Sequence, residues 1–228
     1  MPSFCRKKLS PLPLLILLGL LACAAPKSMP SDLANLRTPQ ELGQASQRAY
    51  GQARLASSKA DKLKLSHEGI VYAQKCLKTA PKEPACLYFE TLNTGIYIRH
   101  HIPNYQRGLK TMVQNCEALI QVRPDFEQAG CYRVLGNIYS QTPSFSLNPK
   151  NITQDLDKSL AYFQEAVKLA PAYPLNRLFL AKILEQTGEN EAAKSELQAF
   201  DRLPPGEMDR DYPDWKKERD ALAQSLLK

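Results

Sequence analysis

The sequence lacks the signatures of the common catalytic and nucleotide-binding sites. It has three histidines, His67, His100 and His101. No carboxylate or cysteine stands at ligand spacing beside the adjacent pair, which therefore reads as a solvated loop rather than a metal site. There is no GxSxG nucleophile turn, no phosphate-cradling glycine loop and no HExxH helix. The six cysteines show none of the two-residue spacings of zinc knuckles, so neither a metal nor another cofactor is expected. Asp155 and Asp157 open a helix, where negative charge suits the N-terminal dipole better than acid–base work. Long apolar runs are missing too. The run over residues 12–21, broken by Pro13 and Gly19, falls short of the roughly 20 residues needed to cross a bilayer. The formal net charge is +7, but cations alternate with acids, as in Lys216-Lys217-Glu218-Arg219-Asp220. That pattern describes solvated helix faces, not a nucleic-acid surface.

The apolar run has a second reading. Arg6, Lys7 and Lys8 precede it, with no acidic residue before Cys23, and it ends Leu20-Leu21-Ala22-Cys23. This arrangement resembles the bacterial lipoprotein processing box, in which a small residue precedes a cysteine that is lipidated and becomes the new N-terminus. The resemblance implies a signal peptide over residues 1–22, lipidation at Cys23 and a tether over residues 23–37. Ala24 after the cysteine implies sorting to the outer membrane, facing the periplasm. A plain secretory signal cut after Ala22 or Ala25 is the alternative.

Residues 38–228 read as one helical domain. Thr38-Pro39-Gln40-Glu41 is a capping box with proline at the first helical position. The helix behind it carries Leu42, Ala45, Ala49, Ala53 and Ala56 on one side, a stripe that lets a neighbour approach closely. Further helices are expected over residues 61–80 with Asp61 as cap, 85–99, 105–122, 126–140 with Asp125 as cap, 153–170, 174–188, 191–202 and 215–227 with Asp214 as cap. Pro81, Pro124, Pro171 and Pro205 end successive hairpins at intervals of 43, 47 and 34 residues. The last interval, with Leu180-Ala181, Leu184, Gly188, Ala193, Leu197 and Phe200 in order, has the period and residue order of a tetratricopeptide (TPR) repeat. The expected fold is therefore an all-α, TPR-like solenoid of about four hairpins. Trp215, Leu222 and Leu226 of a last helix would cover its open end. The longer intervals place insertions at residues 100–104 and 141–151.

The same register brings the end of one hairpin against the start of the next. It pairs Cys76 with Cys86 and Cys116 with Cys131, each pair stapling two hairpins. Four buried thiols filling gaps in the core are the alternative.

Several polar and aromatic residues fall where a repeat pattern does not demand them. These are Arg133, Asn176 and Arg177, with Tyr97, Arg99 and Tyr105 flanking the first insertion. Tyr139 fits the Leu-Gly-x-x-Tyr pattern of the repeat and is expected to be structural, though it also borders this set. Arg133, Tyr139, Asn176, Arg177, Tyr97 and Arg99 are thus the candidate partner-binding residues on the concave face. For Arg133, a structural role tying down residues 141–151 is the alternative.

Arg133-Val134-Leu135-Gly136-x-x-Tyr139, the proline-containing loop after it, Ala166-Val167 with Ala170-Pro171, and Tyr173-Pro174-Leu175-Asn176-Arg177-Leu178-Phe179-Leu180-Ala181 resemble the T component associated with TRAP transporters. The resemblance spans roughly residues 60–202. It implies a non-catalytic periplasmic lipoprotein that partners a solute-binding protein and holds a small or apolar ligand. Two other readings stand beside it: a scaffold for outer-membrane or envelope assembly, and a carrier of an apolar ligand.

Overall fold

A computed structural model describes residues 29–204, 206 and 211–227. The leader, Cys23, the first part of the tether and the stop at Pro205 lie outside the described residues. Every regular element among the described residues is helical. They are α1 Pro39–Leu55, α2 Lys59–Thr79, α3 Pro84–His100, a 3₁₀ turn Ile102–Asn104, α4 Tyr105–Val122, α5 Phe126–Gln141, α6 Leu156–Leu169, α7 Pro174–Gln186, α8 Asn190–Asp201 and α9 Tyr212–Ser225.

The starts follow local chemistry. Thr38 Oγ1 accepts from the Glu41 N–H at 3.2 Å, and the Glu41 carboxylate accepts from the Thr38 and Arg37 N–H groups at 2.9 Å. Backbone donors hold this carboxyl below its ordinary range, because they favour the charged form. Helix α2 starts two residues earlier than expected. Ser58 is its cap, and Asp61 sits at the third helical position, donating its N–H to Ser58 Oγ at 3.0 Å. Asp155 caps α6 by accepting from the Lys158 N–H. Asp125 makes no side-chain cap bond, and α9 begins at Tyr212 rather than after Asp214. Gly188 follows α7 at φ 85°, the left-handed conformation that ends a helix most easily with glycine.

Contacts across each turn run antiparallel, so four hairpins stack in chain order. Ser46 of α1 donates to the Gly69 carbonyl of α2 at 2.8 Å, and Ser159 of α6 donates to the Gly136 carbonyl of α5 at 2.8 Å. A Cβ on Gly69 would lie 2.3 Å from Asn93, and one on Gly136 would lie 2.6 Å from Phe163, so both glycines mark close helix crossings. The α1 stripe Leu42, Ala45, Ala49 and Ala53 is buried. Tyr88, Leu109, Cys116, Leu135 and Ile138 belong to the core of the middle hairpins, and Phe163, Leu178, Ile183, Leu197 and Phe200 to that of the last. Leu226, Trp215 and Leu222 of α9 pack on the latter core as a cap, satisfying the outer face of the terminal repeat.

Cys76 and Cys86 form a disulfide between α2 and α3. Cys116 and Cys131 meet at the corresponding point between α4 and α5, but as free, buried thiols, which corrects the expected second staple. Burial, followed by the Cys131 contact, pushes the Cys116 thiol well above its ordinary range. The thiolate needed for oxidation is therefore disfavoured at this position.

Candidate functional site

The odd-numbered helices, joined by the first half of α4, line the inner face of the stack. Leu92, Ile96 and Arg99 of α3 recur at helical spacing and point the same way. Val134 and Ile138 of α5, Leu175 and Phe179 of α7, Leu109 and Met112 of α4 and Tyr50 of α1 complete the wall. Together with Trp215 and Glu218 of α9 they enclose a groove of about 650 Å³. A second recess of about 320 Å³ between α5, α7 and α9 shares Asn137, Gln141, Phe179 and Lys182 with it. A mostly apolar concave site of this size with a few polar groups suits a ligand or an inserted segment.

Two ion pairs tie the cap across the groove. Arg54 near the end of α1 pairs with Asp211 just before α9, and Lys182 pairs with Glu218 at 2.9 Å. The Lys182 ammonium also lies 5.7 Å from the centroid of the Phe179 ring. Asp211 holds the Arg54 guanidinium above its ordinary range, while burial raises the Tyr50 phenol. Arg99 is exposed at the groove and makes no ion pair among the described residues. It is the cation left available for a partner's carboxylate.

The other residues expected to bind a partner are placed differently. Arg133 is only 8% exposed. It donates to the Gln128 carbonyl, to the Glu127 carbonyl at 2.7 Å and to Asn176 Oδ1 at 2.8 Å, and its guanidinium stands 4.8 Å from the Tyr173 ring centroid. The carbonyls belong to a left-handed turn in which Glu127, Gln128 and Ala129 have φ of 50, 56 and 63°. Asn176, fully buried, donates to the Ala166 and Ala170 carbonyls at 2.9 and 3.0 Å and closes the end of α6. Arg133 and Asn176 thus form a buried strut between hairpins. Nor does Arg133 hold the second insertion. Residues 142–155 are fixed instead by two hydrogen bonds, the Ile152 N–H donating to Gln106 Oε1 at 2.9 Å and Gln106 Nε2 donating to the Ile152 carbonyl at 3.1 Å, and by Asp155 donating its N–H to the Tyr139 carbonyl at 2.9 Å.

Arg177 spends its charge inside the last hairpin, on Glu196 at 2.9 Å. Tyr139 stacks on Tyr162 with ring centroids 5.9 Å apart and accepts from Lys158 Nζ at 2.8 Å, a packing role. Tyr97 sits between the rings of His67 and His101 at 5.9 and 5.2 Å. Tyr105 lines the groove. Of the six candidates, Arg99 alone lines the groove.

Sequence reasoning missed Leu92, Ile96, Phe179 and Lys182 as site residues. One signal was present in α3, which carries apolar residues on every side. A helix apolar all round is covered on more than one face. Among the described residues no group of three or more His, Cys, Asp or Glu side chains is placed to hold a metal ion, and no helix is long and apolar enough to cross a membrane. Compared with known proteins, the chain matches no family model and no curated protein.

Proposed function

We propose that this chain is a non-catalytic binding module of the bacterial cell envelope, anchored through lipid on Cys23, which receives a protein partner in its concave groove. The observation that carries the reading is the groove itself: apolar walls from α1, α3, α4, α5 and α7, closed at one end by α9, with Arg99 unpaired at its edge. An apolar segment of a partner would fill the wall region, and its carboxylate would meet the Arg99 guanidinium through two parallel bonds. The narrower proposal, supported by the resemblance of roughly residues 60–202 to the T component, is that the partner is the solute-binding protein of a TRAP-type transport system.

A second reading has its own support. The volume is that of a small-molecule site, and the cap closes the groove more than a wide protein interface would need. A small apolar ligand would fit there. A photo-crosslinking residue at Ile96, compared with one at exposed Gln198, separates the readings in cells. Crosslinks from Ile96 alone to a TRAP-type solute-binding protein support the transport reading. Crosslinks to cell-wall or barrel-assembly proteins would replace it with the scaffold. No crosslink, together with a stoichiometric small molecule in a solvent extract of the purified protein, would replace it with the carrier.

A further inference from the structure

The two edges of the stack differ. One edge carries the turns within hairpins, the other the turns between them. The within-hairpin turns hold Leu55, Ile102, Phe145 and Leu147, exposed by 76, 78, 73 and 91%. On the opposite edge the exposed large apolar residues are Val122 and Leu169, at only 40 and 36%, while Met29 and Leu227, at 66 and 83%, stand outside the hairpin turns. Isolated exposed apolar side chains need no explanation, but a concentration of them at loop tips along one edge does.

Contacts join the two insertions there. Gln106 near the start of α4 bonds the backbone of Ile152, and Asn151 donates at 2.9 Å to the Oγ of Ser146, which stands between Phe145 and Leu147. The tip is folded, not loose: the Asn151 N–H donates to the Asn148 carbonyl, and the Lys150 N–H to Asn148 Oδ1, both at 3.0 Å.

Charge follows the same edge. Residues 99–111 and 141–154 contain Arg99, Arg107, Lys110 and Lys150, all exposed, and no acid. His100 lies in the positive field of Lys62, Arg99 and Lys59, so the first turn continues the basic strip. The nearest acids along the chain stand at helix starts or well away: Asp61 bonds Ser58, Asp155 caps α6, Asp157 is exposed in the first turn of α6, and Glu117 stands well down α4. The turn of the fourth hairpin, with Glu185, Glu189 and Glu191, carries none of the strongly exposed large apolar residues and falls outside the strip. Apolar tips in a surround where Lys59, Lys62, Arg99, Arg107, Lys110 and Lys150 outnumber Asp61, Asp155 and Asp157 match an anionic bilayer surface: the rings and aliphatic chains enter the acyl boundary while the cations stay at the headgroups. An acidic protein surface would satisfy the cations but would not call for tips as exposed as Leu147.

We propose that the edge formed by the within-hairpin turns of the first three hairpins docks on an anionic lipid bilayer, with Phe145 and Leu147 as the inserting tip. The groove reading shares only Arg99 with this one and survives its failure.

The test uses the full chain with Leu147→Trp, and with Leu169→Trp on the opposite edge, each read as a difference from the parent containing Trp215. On mixed phosphatidylcholine and phosphatidylglycerol vesicles, Leu147→Trp shifts its emission to the blue and is quenched by brominated lipid, while Leu169→Trp does neither. Phosphatidylcholine alone gives a much smaller response, and added salt reverses the shift. Lys150→Ala in the Leu147→Trp background lowers the apparent insertion constant about fivefold, and Phe145→Ser lowers it further. Three outcomes overturn the proposal. They are an unchanged Leu147→Trp spectrum, equal responses at both edges, which reports attachment through the N-terminal segment alone, and a response to polyglutamate without one to lipid.

Discussion

Arg133 shows how a residue's chemistry is decided by what surrounds it. Three consecutive non-glycine residues in the left-handed region cost on the order of 1–2 kcal/mol each. The turn over 127–129 survives because its carbonyls are collected by Arg133 and its partner Asn176. Arg133→Ala would leave the Glu127 carbonyl without its side-chain donor and the Gln128 carbonyl with Asn176 alone, and is expected to lower stability by about 3 kcal/mol in urea titration. Arg133→Lys should recover little, because one ammonium cannot span three acceptors in a plane. Gly136→Ala pushes a methyl into Phe163 and should cost about 1–3 kcal/mol by the same measurement.

A pH dependence also belongs at this scale. Burial beside Tyr97 lowers the His67 pKa, with Glu68 opposing, and burial together with Lys62 and Arg99 lowers that of His100. A lowered histidine pKa means that the unfolded chain takes up protons first as pH falls. These groups leave stability intact above the ordinary histidine value of about 6.5, and stability declines as pH drops from there through the lowered folded values. Urea midpoints at about pH 7 and pH 5 should therefore differ, and His67→Phe should reduce that difference.

Single elements answer through their ends. The α2 to α3 turn is stapled by Cys76 and Cys86, ten residues apart, and opening that loop should cost about 3 kcal/mol on chain entropy. Peptide mapping without reductant should recover this one crosslink, with Cys116 and Cys131 alkylated only after unfolding. A crosslink between Cys116 and Cys131 would show that oxidation overcomes the burial of both sulfurs. The helix positions were largely legible, because prolines, capping residues and apolar periodicity act within a few residues of one another. The capping box before α1, Pro84 and Pro174 at helix starts and Gly188 after α7 are all local signals. Asp61 was misplaced as a cap because Ser58, three residues earlier, offers the same chemistry, and only the backbone conformation chooses between them.

At the scale of the molecule, α9 joins the two ends of the stack. Trp215→Ala would strip a ring packed on Tyr173 and Tyr212 and should cost roughly 2 kcal/mol, read as a lowered Tm. Arg54→Ala breaks a pair in which each side chain is 38% exposed and should cost less than about 1 kcal/mol, shrinking with added salt. If the two variants lose equal stability, the ion pair matters as much to closure as the apolar cap does.

The sequence by itself determined the helices, their order, the antiparallel hairpins and the register that brings Cys76 to Cys86. All of these follow from short-range periodicity and from turns too short to allow another path. Only the tertiary structure decided which polar residues face the groove. Arg133 and Asn176 looked surplus to the repeat, yet a left-handed turn no local signal announces supplies their acceptors from inside. Leu92, Ile96 and Phe179 looked like core, yet the curvature of the stack and the return of α9 open a groove in front of them. Both outcomes depend on residues more than 40 positions apart being brought together, and pattern along the chain carries no record of that distance.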